Sequence, residues 1–376
     1  MPLKILVSAG EASGDRYAAG VVSAIRRRAP ETTFFGCTGN EMRAAGVRTE
    51  VDAASLSVVG LVEVLHHIPR IYGEYRRLIA AAKREKPDLA ILTDSPDFHL
   101  PLARRLTRLG IPVYYLVAPQ AWAWREGRVT QLKRNVKELH CIFPFEETFF
   151  RTRGVNAHYI GHPLAGVVRT SLDRTEFFRK HSLPEDRPLI ALCPGSRKGE
   201  IARHIPALRE ALALISARRA CTFLLAAPAG ARERFGAGLY APLLNGGARY
   251  CEGETWDAMG HSGLTLAASG TVTVEAALLG APMVAFYRVM ALSWAIGRFL
   301  VRAPFYSMVN LAAGRKVVPE LIQDGMTGPA IAREALRLLE SPLETAAMKT
   351  GLAEVRQSLS TATNPFDESA ARILAS

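Results

Sequence analysis

The sequence predicts an α/β chain made of two Rossmann-like halves facing each other across a cleft, and three observations carry that expectation. Short apolar runs alternate with longer stretches of helical period, as βαβ units do. The alternation breaks around Gly161-His162-Pro163 and then restarts. The 376 residues also leave room for two domains of about 100–200 residues each.

Strands are expected in the first half at Ile5 to Ser8, Thr33 to Gly36, Leu89 to Leu92, Val113 to Val117 and Cys141 to Phe143. Helical stretches such as Ala18 to Arg28 and Tyr72 to Arg84 separate them. The second half repeats the pattern with Leu189 to Leu192, Thr222 to Ala226, Leu264 to Ala268 and Met283 to Phe286. The implied division is 1–165, 166–350 and a tail, 351–376, whose last residues read as a helix. Ligands of open α/β sheets sit beyond the carboxyl ends of the strands, so informative residues should follow strands directly.

Composition narrows the function. Hydrophobic residues make up 49% of the chain and charged ones 22%, enough apolar surface for cores and too little charge for extended disorder. A formal net charge of +12 favours a polyanionic partner: nucleic acid, a phosphorylated metabolite or an anionic membrane face. The cations follow no recognisable nucleic-acid module, so nucleic acid is not expected. The five cysteines, Cys37, Cys141, Cys193, Cys221 and Cys251, form no C-x-x-C pair, which argues for a reducing compartment and against a disulfide framework. The apolar start, Leu3 to Val7, is too short for a signal-peptide core. No apolar run reaches the roughly 18–20 residues that span a bilayer.

Two segments of the second half carry phosphate-type chemistry. Pro194-Gly195-Ser196-Arg197 follows one strand, where backbone N–H groups and a forked guanidinium can meet phosphate oxygens. Ser269-Gly270-Thr271 follows another and should start a helix, with Glu275 about one turn further on and able to accept ribose hydroxyls. Each could be an ordinary capped turn; two at successive strand ends favour a nucleoside-diphosphate site.

With these motifs in order, the chain resembles the lipid-A-disaccharide synthases. The resemblance rests on Pro194 to Arg197 with Glu200, Ser269 to Thr271 with Glu275, and Asn310-Leu311-Ala312-Ala313-Gly314-Arg315. In the first half it rests on Gly10 to Asp15, Val59 to Leu65, Asp94-Ser95-Pro96-Asp97-Phe98, Pro119 to Arg125 and Pro144-Phe145-Glu146. It implies the GT-B fold and transfer of 2,3-diacylglucosamine from its UDP conjugate to the 6-hydroxyl of 2,3-diacylglucosamine 1-phosphate. The products would be the β-1′,6-linked disaccharide 1-phosphate of lipid A and UDP. It also implies residence on the cytoplasmic surface of the inner membrane. Gly195, Ser196, Arg197, Ser269, Gly270, Thr271, Glu275 and Asn310 would then hold the donor nucleotide.

The first half would supply the acceptor side and the base. On the residues alone, Asp94 reads as a cap of the turn that follows it and Asp97 as a solvated acid. The resemblance instead favours Asp94 as general base, with Asp97 as support or first alternative. Gly10 to Asp15 closes the first strand without the spacing of a dinucleotide fingerprint or the Lys of a P-loop. Its glycines would let backbone approach the sugar, with Glu11, Ser13, Gly14 and Asp15 as acceptor contacts; a plain tight turn is the alternative for each residue singly. No cofactor or metal is called for: Asp94 and Asp97 are not a D-x-D pair, and Arg197 with helix dipoles can hold a departing diphosphate. His66-His67, His99 and His162 read as structural or solvated. Leu56 to Leu65, and Ala285 to Pro304 with Trp294, Ile296, Phe299, Arg298 and Arg302, suit either a headgroup boundary or a core helix with a basic edge. Ala121 before Trp-Ala-Trp and Val309 before Asn310 depart from the family pattern. The terminal helix either packs back on the first half or exchanges between the chains of a homodimer.

Overall fold

A strand covered on both faces stays apolar throughout instead of alternating. The computed structural model shows this in both halves; it describes residues 2–56, 61–290, 294 and 303–375. The chain divides into two compact units, Met1–Pro163 with Leu359–Ser376, and Leu164–Ser358.

The described strands of the first unit are β1 (Lys4–Ala9), β2 (Thr33–Thr38), β3 (Arg48–Asp52), β4 (Leu89–Thr93), β5 (Val113–Leu116), β6 (Glu138–Cys141) and β7 (Ala157–Tyr159). They form a parallel sheet in the order β3-β2-β1-β4-β5-β6-β7. The second unit contributes β8 (Leu189–Cys193), β9 (Thr222–Ala227), β10 (Arg249–Glu252), β11 (Leu264–Ala268), β12 (Met283–Tyr287) and β13 (Glu320–Ile322). These are also parallel, in the order β10-β9-β8-β11-β12-β13. Alternate residues of β1 feed opposite faces: Leu6 joins one buried cluster, Ile5 and Val7 the other.

Each sheet reverses its strand order once, between β1 and β4 and between β8 and β11. Such reversals are where open α/β sheets hold ligands. Gly10, Asp94, Gly195 and Ser269 all lie within two residues of the ends of these four strands.

The structure corrects several expectations. Four strands escaped the sequence reading, β3, β7, β10 and β13, and they are the four sheet edges. An edge strand has one neighbour and keeps solvent on one side, so charges such as Arg48, Glu50 and Arg249 interrupt its apolar pattern. The strand expected at Cys141 to Phe143 is Glu138–Cys141, and Phe143 instead precedes the helix Pro144–Arg151. Its two buried polar residues are satisfied by the terminal helix Pro365–Leu374: Ser369 Oγ meets His140 Nδ1 at 2.8 Å and Arg372 Nε donates to Glu138. That helix packs on the first unit of its own chain, with Phe366 against Tyr17. The helix before it, Pro342–Leu359, runs through residue 351 and belongs to the second unit up to Ser358.

The alternative reading of Gly10 to Asp15, a plain tight turn, is not what forms. A helix starts at Ala12 and runs to Arg28, which places Ser13, Gly14 and Asp15 in its first turn. The stretches Leu56 to Leu65 and Ala285 to Pro304 lie largely outside the described residues, as do the side chains of His66-His67. Among the described residues no helix is long and apolar enough to cross a membrane.

Candidate active site

In the first unit the candidate site centres on Asp94. Its φ is +57° and that of Ser95 is +38°, two consecutive left-handed residues that are not glycine. Such backbone costs about 1–3 kcal/mol per residue and persists only when its surroundings enforce it. Here the enforcement is visible. The Asp94 carbonyl accepts the Tyr115 hydroxyl and, at 2.9 Å, His99 Nδ1–H. His99 is fully buried, and burial pushes its pKa down to about 4, so the ring is neutral. A carbonyl can only accept, which puts the ring proton on Nδ1 and leaves Nε2 to accept from Ser8 Oγ at 2.8 Å.

The carboxylate lies against the start of the helix Ala12–Arg28. Gly10 N–H donates to Oδ1 at 3.0 Å and Glu11 N–H to Oδ2 at 3.2 Å. A Cβ on Gly14 would overlap Asp94 Oδ2, and one on Gly10 would overlap Ser95 Oγ. Gly14 leaves room for the carboxylate, and Gly10 for the Ser95 side chain beside it. Burial raises the Asp94 pKa to about 7, against the lowering effect of hydrogen bonds from Ser95, Gly10 and Glu11. A carboxylate poised there can take a proton at neutral pH.

The other acids are placed differently. Asp97 is largely exposed and held by Arg125 Nη1 at 2.8 Å and Arg128 Nη2 at 2.7 Å. Both guanidiniums lie over the Trp124 ring, at 4.4 and 5.0 Å. Glu11 and Ser13 are exposed on the helix start, beside the buried Gly14. Asp15 departs from expectation: it is buried and accepts the backbone N–H of Gly39, Glu41 and Met42, capping the helix Asn40–Ala44. Of the expected acceptor residues, Glu11 and Gly14 adjoin Asp94, while Asp15 faces the fold. Trp122 Nε1–H donates to the buried Glu146, whose pKa burial raises to about 7.

The second unit presents open turns instead. After β8, Ser196 and Arg197 are exposed and lead into the helix Lys198–Arg218. Glu200 Oε2 accepts Ser196 N–H at 3.0 Å and lies against Gly195, whose φ of +129° and crowded Cβ position demand glycine. After β11, Gly270 and Thr271 are exposed at the N-terminus of the helix Thr271–Leu278, and Glu275 is half-buried on it. Ser269 Oγ donates to Tyr306 O at 2.9 Å.

Asn310, expected at the donor nucleotide, faces the fold. It is fully buried, its Oδ1 accepts Val317 and Val318 N–H, and its Nδ2 donates to Glu320 Oε1 at 2.8 Å. Glu320 in turn accepts Tyr306 and Ser307 N–H. Asn310 thus stands behind the segment that receives Ser269. Sequence reasoning also missed His204, whose Nδ1–H donates to Pro194 O at 2.7 Å and whose Nε2 accepts Arg288 N–H at 3.0 Å. It ties the Pro194 turn to the end of β12. His99, by contrast, was legible as structural, although not its grip on Asp94. Neither partnership has a signal in linear spacing.

Two parallel-sheet α/β units, each with one reversal of strand order, place the chain in the GT-B fold class, and solved structures agree on the fold. UDP-GlcNAc 2-epimerase from Neisseria meningitidis superposes with a TM-score of 0.63 at 13% identity, over 99% of this chain and 98% of that one. Acinetobacter baumannii MurG gives 0.60 at 13% identity, over all of both chains. The lipid-A-disaccharide synthetase family model matches residues 5–374. The lipid-A-disaccharide synthase of Solibacter usitatus is 61% identical over 356 residues, 95% of this chain and 93% of that protein. That of Myxococcus xanthus is 44% identical over 361 residues, 94% and 93% respectively. The chain belongs to the lipid-A-disaccharide synthetase family, and it is an enzyme of that family.

Proposed function

We propose that the chain transfers 2,3-diacylglucosamine from UDP-2,3-diacylglucosamine to the 6-hydroxyl of 2,3-diacylglucosamine 1-phosphate, with inversion at the anomeric carbon. The observation that carries this reading is Asp94, a carboxylate pushed up to about 7 at the β1/β4 reversal and held by its own backbone. Asp94 takes the proton of the 6-hydroxyl. The freed oxygen pair attacks the anomeric carbon from the face opposite the diphosphate. The bond from that carbon to the diphosphate oxygen breaks, and UDP leaves with the electron pair.

Gly195, Ser196, Arg197, Ser269, Gly270 and Thr271 hold the diphosphate through backbone donors, hydroxyls and a guanidinium, with Glu275 on the ribose. Asn310 acts through Glu320 and the Tyr306–Ser307 backbone. Glu11, Ser13 and Gly14 line the acceptor side, and Asp97 with Arg125, Arg128 and Trp124 forms a cationic, aromatic face for a phosphorylated sugar. We place the enzyme on the cytoplasmic surface of the inner membrane. Ile68 and Tyr72, exposed one turn apart on the helix Leu61–Glu85, support an apolar contact with acyl chains or headgroups.

The test is to incubate the purified chain with both diacylated substrates in EDTA, beside Asp94→Ala. Disaccharide 1-phosphate and UDP from the wild type, with loss of about 10²–10⁴ in the variant, are the expected outcome. Robust product from Asp94→Ala would remove Asp94 as base. No product from a wild type that still binds UDP would point to another sugar or acceptor.

A further inference from the structure

A second cluster of reactive side chains lies in the second unit. His181 follows the helix Arg174–Lys180, Cys251 is on the edge strand β10, and Glu254 precedes the helix Thr255–Gly260. Their donor atoms lie within 4.8 Å of one another. Nε2 of His181 is 3.0 Å from Glu254 Oε2 and 3.8 Å from Cys251 Sγ.

This arrangement is not a nucleophilic triad. A triad uses both imidazole nitrogens, one for the thiol and one for the carboxylate. Here sulfur and carboxylate converge on the same nitrogen, as ligands do around a common centre. Tetrahedral zinc, with bonds of about 2.3 Å to sulfur and 2.0–2.1 Å to nitrogen and oxygen, separates its sulfur and nitrogen ligands by ~3.6 Å and its nitrogen and oxygen ligands by ~3.3 Å. The nitrogen–oxygen and nitrogen–sulfur separations match to within a few tenths of an ångström, and the sulfur lies within 4.8 Å of the carboxylate.

We propose that His181, Cys251 and Glu254 bind one divalent transition-metal ion, zinc by the softness of the donor set, in a site separate from the sugar-nucleotide turns. The mixed sulfur, imidazole and carboxylate donors exclude magnesium and calcium, which take oxygen alone. Glu254 binds through Oε2 while its Oε1 is held by Lys180 Nζ at 2.8 Å, the outer-shell contact that orients a ligating carboxylate. Cys251 is buried, whereas His181 and Glu254 are 15% and 24% exposed, so one side stays open for water as the fourth ligand. Coordination removes the Cys251 thiol proton to solvent and leaves two anionic ligands opposite the dication. The ion would bind the first helix of the unit to its sheet edge, across 70 residues of sequence. This role is structural and independent of the transfer chemistry.

The experiment uses the full chain, stripped with EDTA and titrated with Co²⁺ and then Zn²⁺. One equivalent of Co²⁺ is expected to raise a thiolate-to-cobalt charge-transfer band with strong tetrahedral visible bands, and Zn²⁺ to displace it. Cys221→Ala, which changes the one partly exposed thiol, keeps the band. Cys251→Ala abolishes it, and Glu254→Gln, chosen to spare the fold, weakens Zn²⁺ about tenfold or more. Zn²⁺ raises Tm of the wild type and not of Cys251→Ala. No band in the wild type, an equal band in Cys251→Ala, or unchanged affinity in Glu254→Gln would each overturn the proposal.

Discussion

The two reversal points are built on the same topology and treat their residues in opposite ways. At β1/β4 the Asp94 carboxylate is tucked against glycines and its carbonyl is gripped from behind by His99 and Tyr115. At β8/β11 Ser196, Arg197, Gly270 and Thr271 stand in solvent, with their supports, Glu200, His204 and Asn310, held further back. Proton transfer needs a group whose pKa and direction are set before substrate arrives. Anion binding needs donors left open for phosphate. One end of the fold is therefore over-determined around a single side chain, and the other keeps its backbone available.

The largest expected effect breaks this contrast at its buried end. Gly14→Ala drives a methyl into Asp94 Oδ2 and should cut kcat by about 10²-fold or more, near the loss of the base itself. UDP affinity, read by calorimetry, should stay within about twofold; a tenfold loss would mean the two ends are not separable. Next comes Arg197→Ala. Losing a charged hydrogen-bond donor costs about 1.5–3 kcal/mol, so UDP should bind about 10–100-fold more weakly while the pH profile of kcat is unmoved.

His99→Gln is a finer probe of positioning. It should lower kcat about tenfold with KM little changed, and move the acidic limb of the pH profile. A uniform loss without a shifted limb would reduce His99 to a packing residue. In the wild type that limb belongs to Asp94, so kcat/KM should rise with pH through about 7 as the carboxylate loses its proton.

The smallest effect is on stability, and its sign is opposite. A carboxyl whose pKa is raised on folding stabilises the fold below its unfolded pKa, and that contribution is lost as pH rises through about 7. Asp94→Asn should therefore be more heat-stable than the wild type at pH 8, with the advantage fading toward pH 4. An advantage that grew on acidification would contradict the buried, poised carboxyl.

By itself the sequence determined the central strands and the turns after them. β1, β4, β8 and β11 are covered on both faces and mostly apolar, and Gly-Ser, Ser-Gly and Asp-Ser-Pro are local chemistry that any reading sees. The edge strands β3, β7, β10 and β13 escaped because half-exposed backbone carries no such pattern. Tertiary structure alone decided how differently three acids are held. Asp94, Asp97 and Asp15 look alike in a line of residues. Burial against Gly14 makes the first a candidate base, Arg125 and Arg128 hold the second, and the backbone of Gly39 to Met42 takes the third. The meeting of His181 with Cys251 was equally beyond linear spacing. A side chain's protonation and partners depend on what folds against it, and those neighbours come from tens of residues away.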